Sequence, residues 1–166
     1  MRVFSVLCAL LVLTLAAAAQ APDPKPVGTL AQVMRGILFP NSNILFDVQV
    51  KDPETFGKKE EGAGATSTFS GIYTGWQVVE NAAIALDEAA RLLTVPGRLC
   101  ENGRPVPLNQ KDWAPFVADL QKAAQAMLKA AQAKNRELAS DTTNDVAGAC
   151  ENCHSKYRDA APRCTP

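Results

Sequence analysis

The chain has 166 residues, with 17 Lys and Arg balanced by 17 Asp and Glu. That balance supplies no basic patch for nucleic acid, and the length suits one domain with a real core. Alanine is abundant and aromatic residues are only 6% of the total, a composition expected of closely packed helices.

Residues 1–20 read as an export signal. Arg2 gives the positive start, residues 3–15 are apolar apart from Ser5, Cys8 and Thr14, and Ala17-Ala18-Ala19 offers a small-residue cleavage site. Cys8 falls too early for a lipoprotein site. The apolar run is short for a membrane span, so membrane association is expected only if the segment is retained. Export predicts a periplasmic protein. Processing leaves four cysteines, of which Cys100 and Cys164 are disulfide candidates in an oxidising compartment; their proximity is not legible in the sequence.

Residues 21–26 alternate with proline and read as a linker, leaving 27–166 as the domain. The first helix is expected over 27–39, with Leu30, Met34, Ile37 and Leu38 on one stripe and Arg35 outside it. Pro40 and Asn41-Ser42-Asn43 are expected to break or recap it. Residues 44–50 are compatible with a short helix, a turn or an extended packing segment. Residues 52–71, with Pro53, several glycines and the run Lys58-Lys59-Glu60-Glu61, read as a solvated loop.

The clearest helix spans 72–93. Ile72, Trp76, Val79, Ala83, Leu86, Ala90 and Leu93 repeat at steps of four and three, a bundle seam ended by Pro96-Gly97. A second loop, 97–108, holds Cys100. The third helix is expected over 109–138, with Val117, Leu120, Ala124, Met127 and Ala131 on its seam and Trp113 and Phe116 in its first turns. Residues 141–144 offer N-caps for a last helix whose stripe is Val146, Cys150, Cys153 and Tyr157. Four such segments predict an all-α, antiparallel four-helix bundle, a fold that builds cofactor sites between facing helices.

The last helix carries Cys150-Glu151-Asn152-Cys153-His154, the attachment pattern of a c-type haem. Thiols three residues apart share one helix face and can bond the two vinyl groups on one edge of a porphyrin. His154, the sole histidine, follows at once and can bind iron. A thioredoxin-like redox pair uses the same spacing but belongs beside a βαβ unit, for which there is no strand signal. Structural zinc would need further ligands, such as Cys100 or Cys164. An exported helical module acting through contacts alone is a further, haem-free reading. No paired carboxylates, and no nucleophile with its base, suggest an enzyme; with His154 on iron, no imidazole remains for acid–base work.

The stretch Val146-Ala147-Gly148-Ala149-Cys150-Glu151-Asn152-Cys153-His154-Ser155-Lys156-Tyr157-Arg158 resembles the class II cytochromes c, the cytochrome c-prime family. A haem site near the C-terminus and a basic residue four positions after the His are the family's marks; Pro40 and both long loops depart from its pattern. The resemblance implies one covalent haem c per chain, anchored by Cys150 and Cys153, with His154 as fifth iron ligand and Arg158 near a haem propionate. A charge near the last helical turn is also favourable through the helix dipole alone. By the same resemblance the sixth position is faced by the first helix. Met34 there is the candidate ligand, and Leu38 is the bulky neighbour if iron stays open. Trp76, Phe39 and Phe46 are candidate pocket residues, while Met127 and Tyr157 are expected to be core.

Two functions follow from these expectations. With His/Met ligation the protein carries single electrons between redox partner proteins. With five-coordinate iron it binds a small gas such as nitric oxide or carbon monoxide. Dimers occur among relatives, but no residue here selects a homodimer face.

Overall fold

The computed structural model describes residues 25–58, 72–159 and Cys164. The expected signal, most of the linker and residues 59–71 of the expected loop lie outside the described residues. The described chain is an all-α, four-helix bundle. Helix α1 is built of an α turn Leu30–Val33, a π turn Met34–Leu38 and an α segment Phe39–Asp47. Helix α2 is Trp76–Ala90, α3 is Trp113–Gln132 and α4 is Arg136–Tyr157. Each helix packs on the next, and α1 closes the ring on α4.

The start of α1 is set by a capping box. Thr29 Oγ1 accepts from the Gln32 amide at 3.2 Å, and the Gln32 side chain accepts from the Thr29 amide at 2.8 Å. The expected break at Pro40 does not occur. Proline lacks an N–H and its ring collides with the carbonyl four residues back in a regular α-helix. The π turn relieves that conflict by widening the backbone, with the Phe39 amide bonding the Met34 carbonyl five residues earlier. Asn41 and Ser42 do not break the helix either; their side chains donate to the carbonyls of Ile37 and Phe39 at 2.7 and 3.0 Å. Residues 44–47 are therefore helical, and Leu45 and Val48 are fully buried.

Ile72 stands outside the α2 seam and is 73% exposed; the seam begins at Trp76, after Gly75 in a left-handed conformation with φ 63°. From there Val79, Ala83, Leu86, Ala90 and Leu93 are all buried, as their spacing requires. The helix tightens into a 3-10 turn, Arg91–Thr94. Arg98 then turns inward, donating to the carbonyls of Leu92 at 3.0 Å and Gly28 at 2.6 Å. It stitches the end of α2 to the approach of α1.

The single long helix expected over 109–138 ends earlier. Lys134 takes φ 49°, and the Asn135 side chain accepts from the Leu138 amide at 3.0 Å, which caps a new helix from Arg136. The caps expected at 141–144 are thus helix interior. Thr142 and Thr143 satisfy their hydroxyls against the carbonyls of Leu138 and Ser140, at 2.7 and 2.6 Å. The link of about three residues turns α4 back along α3. Helices α2 and α3 pack on each other, and each buries small side chains: Ala82, Ala83, Ala89 and Ala90 on α2, and Ala123, Ala124, Ala130 and Ala131 on α3. Small side chains let packed helices approach closely, and Met127 of α3 is fully buried in the core.

Candidate functional site

Helix α4 carries Cys150, Cys153 and His154 within one turn, all half-buried, and both thiols are free. They open onto a cavity of about 440 Å³, within the range of cofactor-sized pockets. From α1, Met34 and Leu38 line the same space; from α4, so does Arg158. The structure thus gathers on one cavity the candidate haem anchors Cys150 and Cys153, the candidate ligands His154 and Met34, and Arg158 and Leu38.

The walls suit a largely apolar group. Leu30, Leu38, Val117 and Leu120 contribute aliphatic surface, with Phe39, Phe46, Trp113 and Phe116 contributing rings. Trp76 is not among the lining residues; it is buried elsewhere in the core. Trp113, Phe116 and Tyr157 are aromatic wall residues that were not read as such. Their signal was present in the spacing, since Trp113 and Phe116 open α3 and Tyr157 follows Cys153 by one turn. Tyr157 is buried, its ring meeting Trp113 edge-on at 4.8 Å and Phe116 at 6.2 Å. Its hydroxyl donates to Asp112 Oδ1 at 2.6 Å, and Lys156 pairs with the other oxygen of that carboxylate.

Electrostatics separate the two thiols from a reactive redox pair. Burial pushes the Cys150 thiol up, and burial with the neighbouring Cys150 pushes Cys153 up to about 11. A thioredoxin-like pair needs the opposite shift. Among the described residues there is no strand, only an isolated bridge between Leu99 and Pro105. The zinc reading also loses its extra ligands. Cys100 and Cys164 are disulfide-bonded, with Cα atoms 4.8 Å apart, and no cluster of three metal-ligating side chains exists among the described residues.

Burial, then the nearby Arg158, lowers the His154 pKa and favours a neutral imidazole. Arg158 Nη1 lies 3.1 Å from His154 Nδ1; a guanidinium only donates, so Nδ1 is the acceptor in this contact. The same guanidinium pairs with Asp159 at the end of α4. Arg158 therefore stands at the exposed rim of the cavity beside the imidazole. The residues fit a covalently held haem: two unbridged thiols on one helix face, an adjacent imidazole whose neutral form is favoured, and a shared cavity with apolar walls.

Asp112 ties the start of α3 to the end of α4. Hydrogen bonds from Lys156 and then Tyr157 hold its carboxyl below the usual range. A lowered folded-state value means that this stabilisation is complete above the ordinary carboxylate pKa of about 4 and disappears as pH falls through the lowered value. Asp112→Asn should lower the urea midpoint at neutral pH and flatten its decline below about pH 4. An unchanged acid limb would remove Asp112 from that role.

Residues 108–158, which contain α3 and α4, match the family model described as Cytochrome C'. Neither the curated proteins nor the solved structures compared with the chain gave a match. Over α3 and α4 the chain therefore carries the pattern of the cytochrome c-prime family, whose members bind covalently attached haem c.

Proposed function

We propose that this protein is an exported c-type cytochrome that carries single electrons, with His154 and Met34 as the residues that would ligate its haem iron. The observation that carries the reading is the shared cavity: Met34 on α1 and His154 on α4 line it from different helices. Cys150 and Cys153 would anchor the haem from the α4 side. When bound, the haem supplies an iron that accepts and returns one electron at a time. The chain's part is to hold it and set its potential. The Met34 thioether is uncharged and polarisable, the apolar walls keep water out, and both features favour the reduced state. Such a protein needs no substrate of its own, and its partners are other redox proteins. Members of the family are typically exported, and no described helix is long and apolar enough to cross a membrane. The periplasm is the compartment that this reading assigns.

Met34→Ala tests the ligation. The reduced, haem-loaded variant should change from low-spin to high-spin absorption and gain carbon monoxide affinity by at least about tenfold, or ~1.4 kcal/mol. A spectrum that stays low-spin without that gain would remove Met34 as a ligand. A wild-type protein already high-spin and open to carbon monoxide would instead favour gas binding, with Leu38 as the residue over the open iron position.

A further inference from the structure

The walls of the cavity are joined in two different ways at their two ends. Away from the cavity, Gln49, just past α1, donates directly to the Thr143 hydroxyl of α4. At the cavity end, a relay through the 97–108 loop connects the walls. The Leu30 amide at the start of α1 donates to the Leu99 carbonyl at 2.8 Å, and Arg35 pairs with Glu101. Cys100, between those two positions, is bonded to Cys164. Cys164 in turn holds the end of α4, its amide donating to the Tyr157 carbonyl at 2.7 Å, and its carbonyl accepts from the Glu101 amide at 3.2 Å. Glu101 and Cys164 both line the cavity, so this relay forms part of its edge.

We propose that the Cys100–Cys164 disulfide is a strap that fixes the spacing of the α1 and α4 walls, and that its reduction admits small uncharged ligands to the cavity. Between the 97–108 loop and Cys164 the disulfide is the covalent cross-link, and the contacts beside it and from the loop to α1 are hydrogen bonds and an exposed ion pair. Such contacts hold a helix end only weakly once the link is cut. The chemistry is ordinary thiol–disulfide exchange. A dithiol donor supplies two electrons and two protons, the bond between the two sulfurs breaks, and the donor leaves as its own disulfide. The inference rests on the haem reading of the cavity, because iron is the reporter, but it does not depend on Met34 as ligand.

The test compares the full haem-loaded chain with its Cys100→Ser/Cys164→Ser variant. Carbon monoxide association with the ferrous protein and hydrogen exchange at the amides of Leu30–Val33 are the two readouts. The strap predicts association about tenfold faster and a matching loss of protection at those amides, since access then follows a more populated open state. Equal rates and equal protection would overturn it. If the double variant loses helix content, Glu101→Gln serves in its place, because it leaves the disulfide intact and cuts the link to Arg35. It should move both readouts the same way, by about twofold, as expected for one exposed ion pair, and no movement would count against the strap. The two proposals fail separately. Opening on disulfide loss with no effect of Met34→Ala would retain the strap and discard the ligation; the reverse result would do the opposite.

Discussion

Cys150→Ala/Cys153→Ala, produced in a host that matures c-type cytochromes, should yield a chain from which acidified organic solvent removes all haem. The wild-type chain should retain its haem through the same extraction. Each thioether needs one thiol, and Cys150 and Cys153 are the two free thiols among the described residues. Cys100 and Cys164 cannot replace them while bonded to each other. Single variants should keep haem through one bond, and His154→Ala should keep both bonds while losing the proximal ligand and its spectrum. Mass spectrometry of the denatured chains reads every case. A double variant that still carries covalent haem would end the attachment assignment. The fold should also weaken without its cofactor, because anything that binds only the folded state stabilises it.

Trp113→Ala should cost about 3–5 kcal/mol, the usual range for truncating a buried large aromatic. Three losses combine at this position. The side chain is only 2% exposed, so its whole apolar area is removed from the core. Its indole N–H donates to the Leu93 carbonyl at 3.1 Å, and that carbonyl lies in the 3-10 turn ending α2, where few other donors reach. Its edge also supports the Tyr157 ring, and the space vacated would join the neighbouring cavity rather than collapse. Trp113→Phe separates the terms by keeping most of the area and losing the N–H, at about 1–2 kcal/mol. Urea unfolding at neutral pH measures both. Equal losses for the two variants would mean that the hydrogen bond outweighs the packing.

The shared face of Cys150 and Cys153 and the helix seams were legible because both depend on spacing along one helix. Cys150, Cys153 and Tyr157 at steps of three and four fall on one face whatever the rest of the chain does. The seam from Trp76 to Leu93 was legible for the same reason. Boundaries were harder, because local competition decides them. Pro40 reads as a stop only if the backbone must remain a regular α-helix, and the π turn lifts that condition. The division between α3 and α4 depends on a left-handed Lys134, which no propensity favours over continuing the helix. The Cys100–Cys164 bond was legible only as a candidate, left over once the haem pair is set aside, since it joins positions 64 residues apart whose proximity exists only after the bundle has formed.

The wide turn in α1 also settles how that helix can vary. Its buried positions are Leu30, Val33, Leu38, Ser42 and Leu45, so the interval across Met34–Leu38 is five where a regular winding would place three or four. One added residue rotates everything downstream by about 100°. The two halves of α1 therefore face the same interior only while that extra residue is counted. Its length is a phase setting, and a one-residue gain or loss on either side would swing Met34 and Leu45 toward different sides of the molecule.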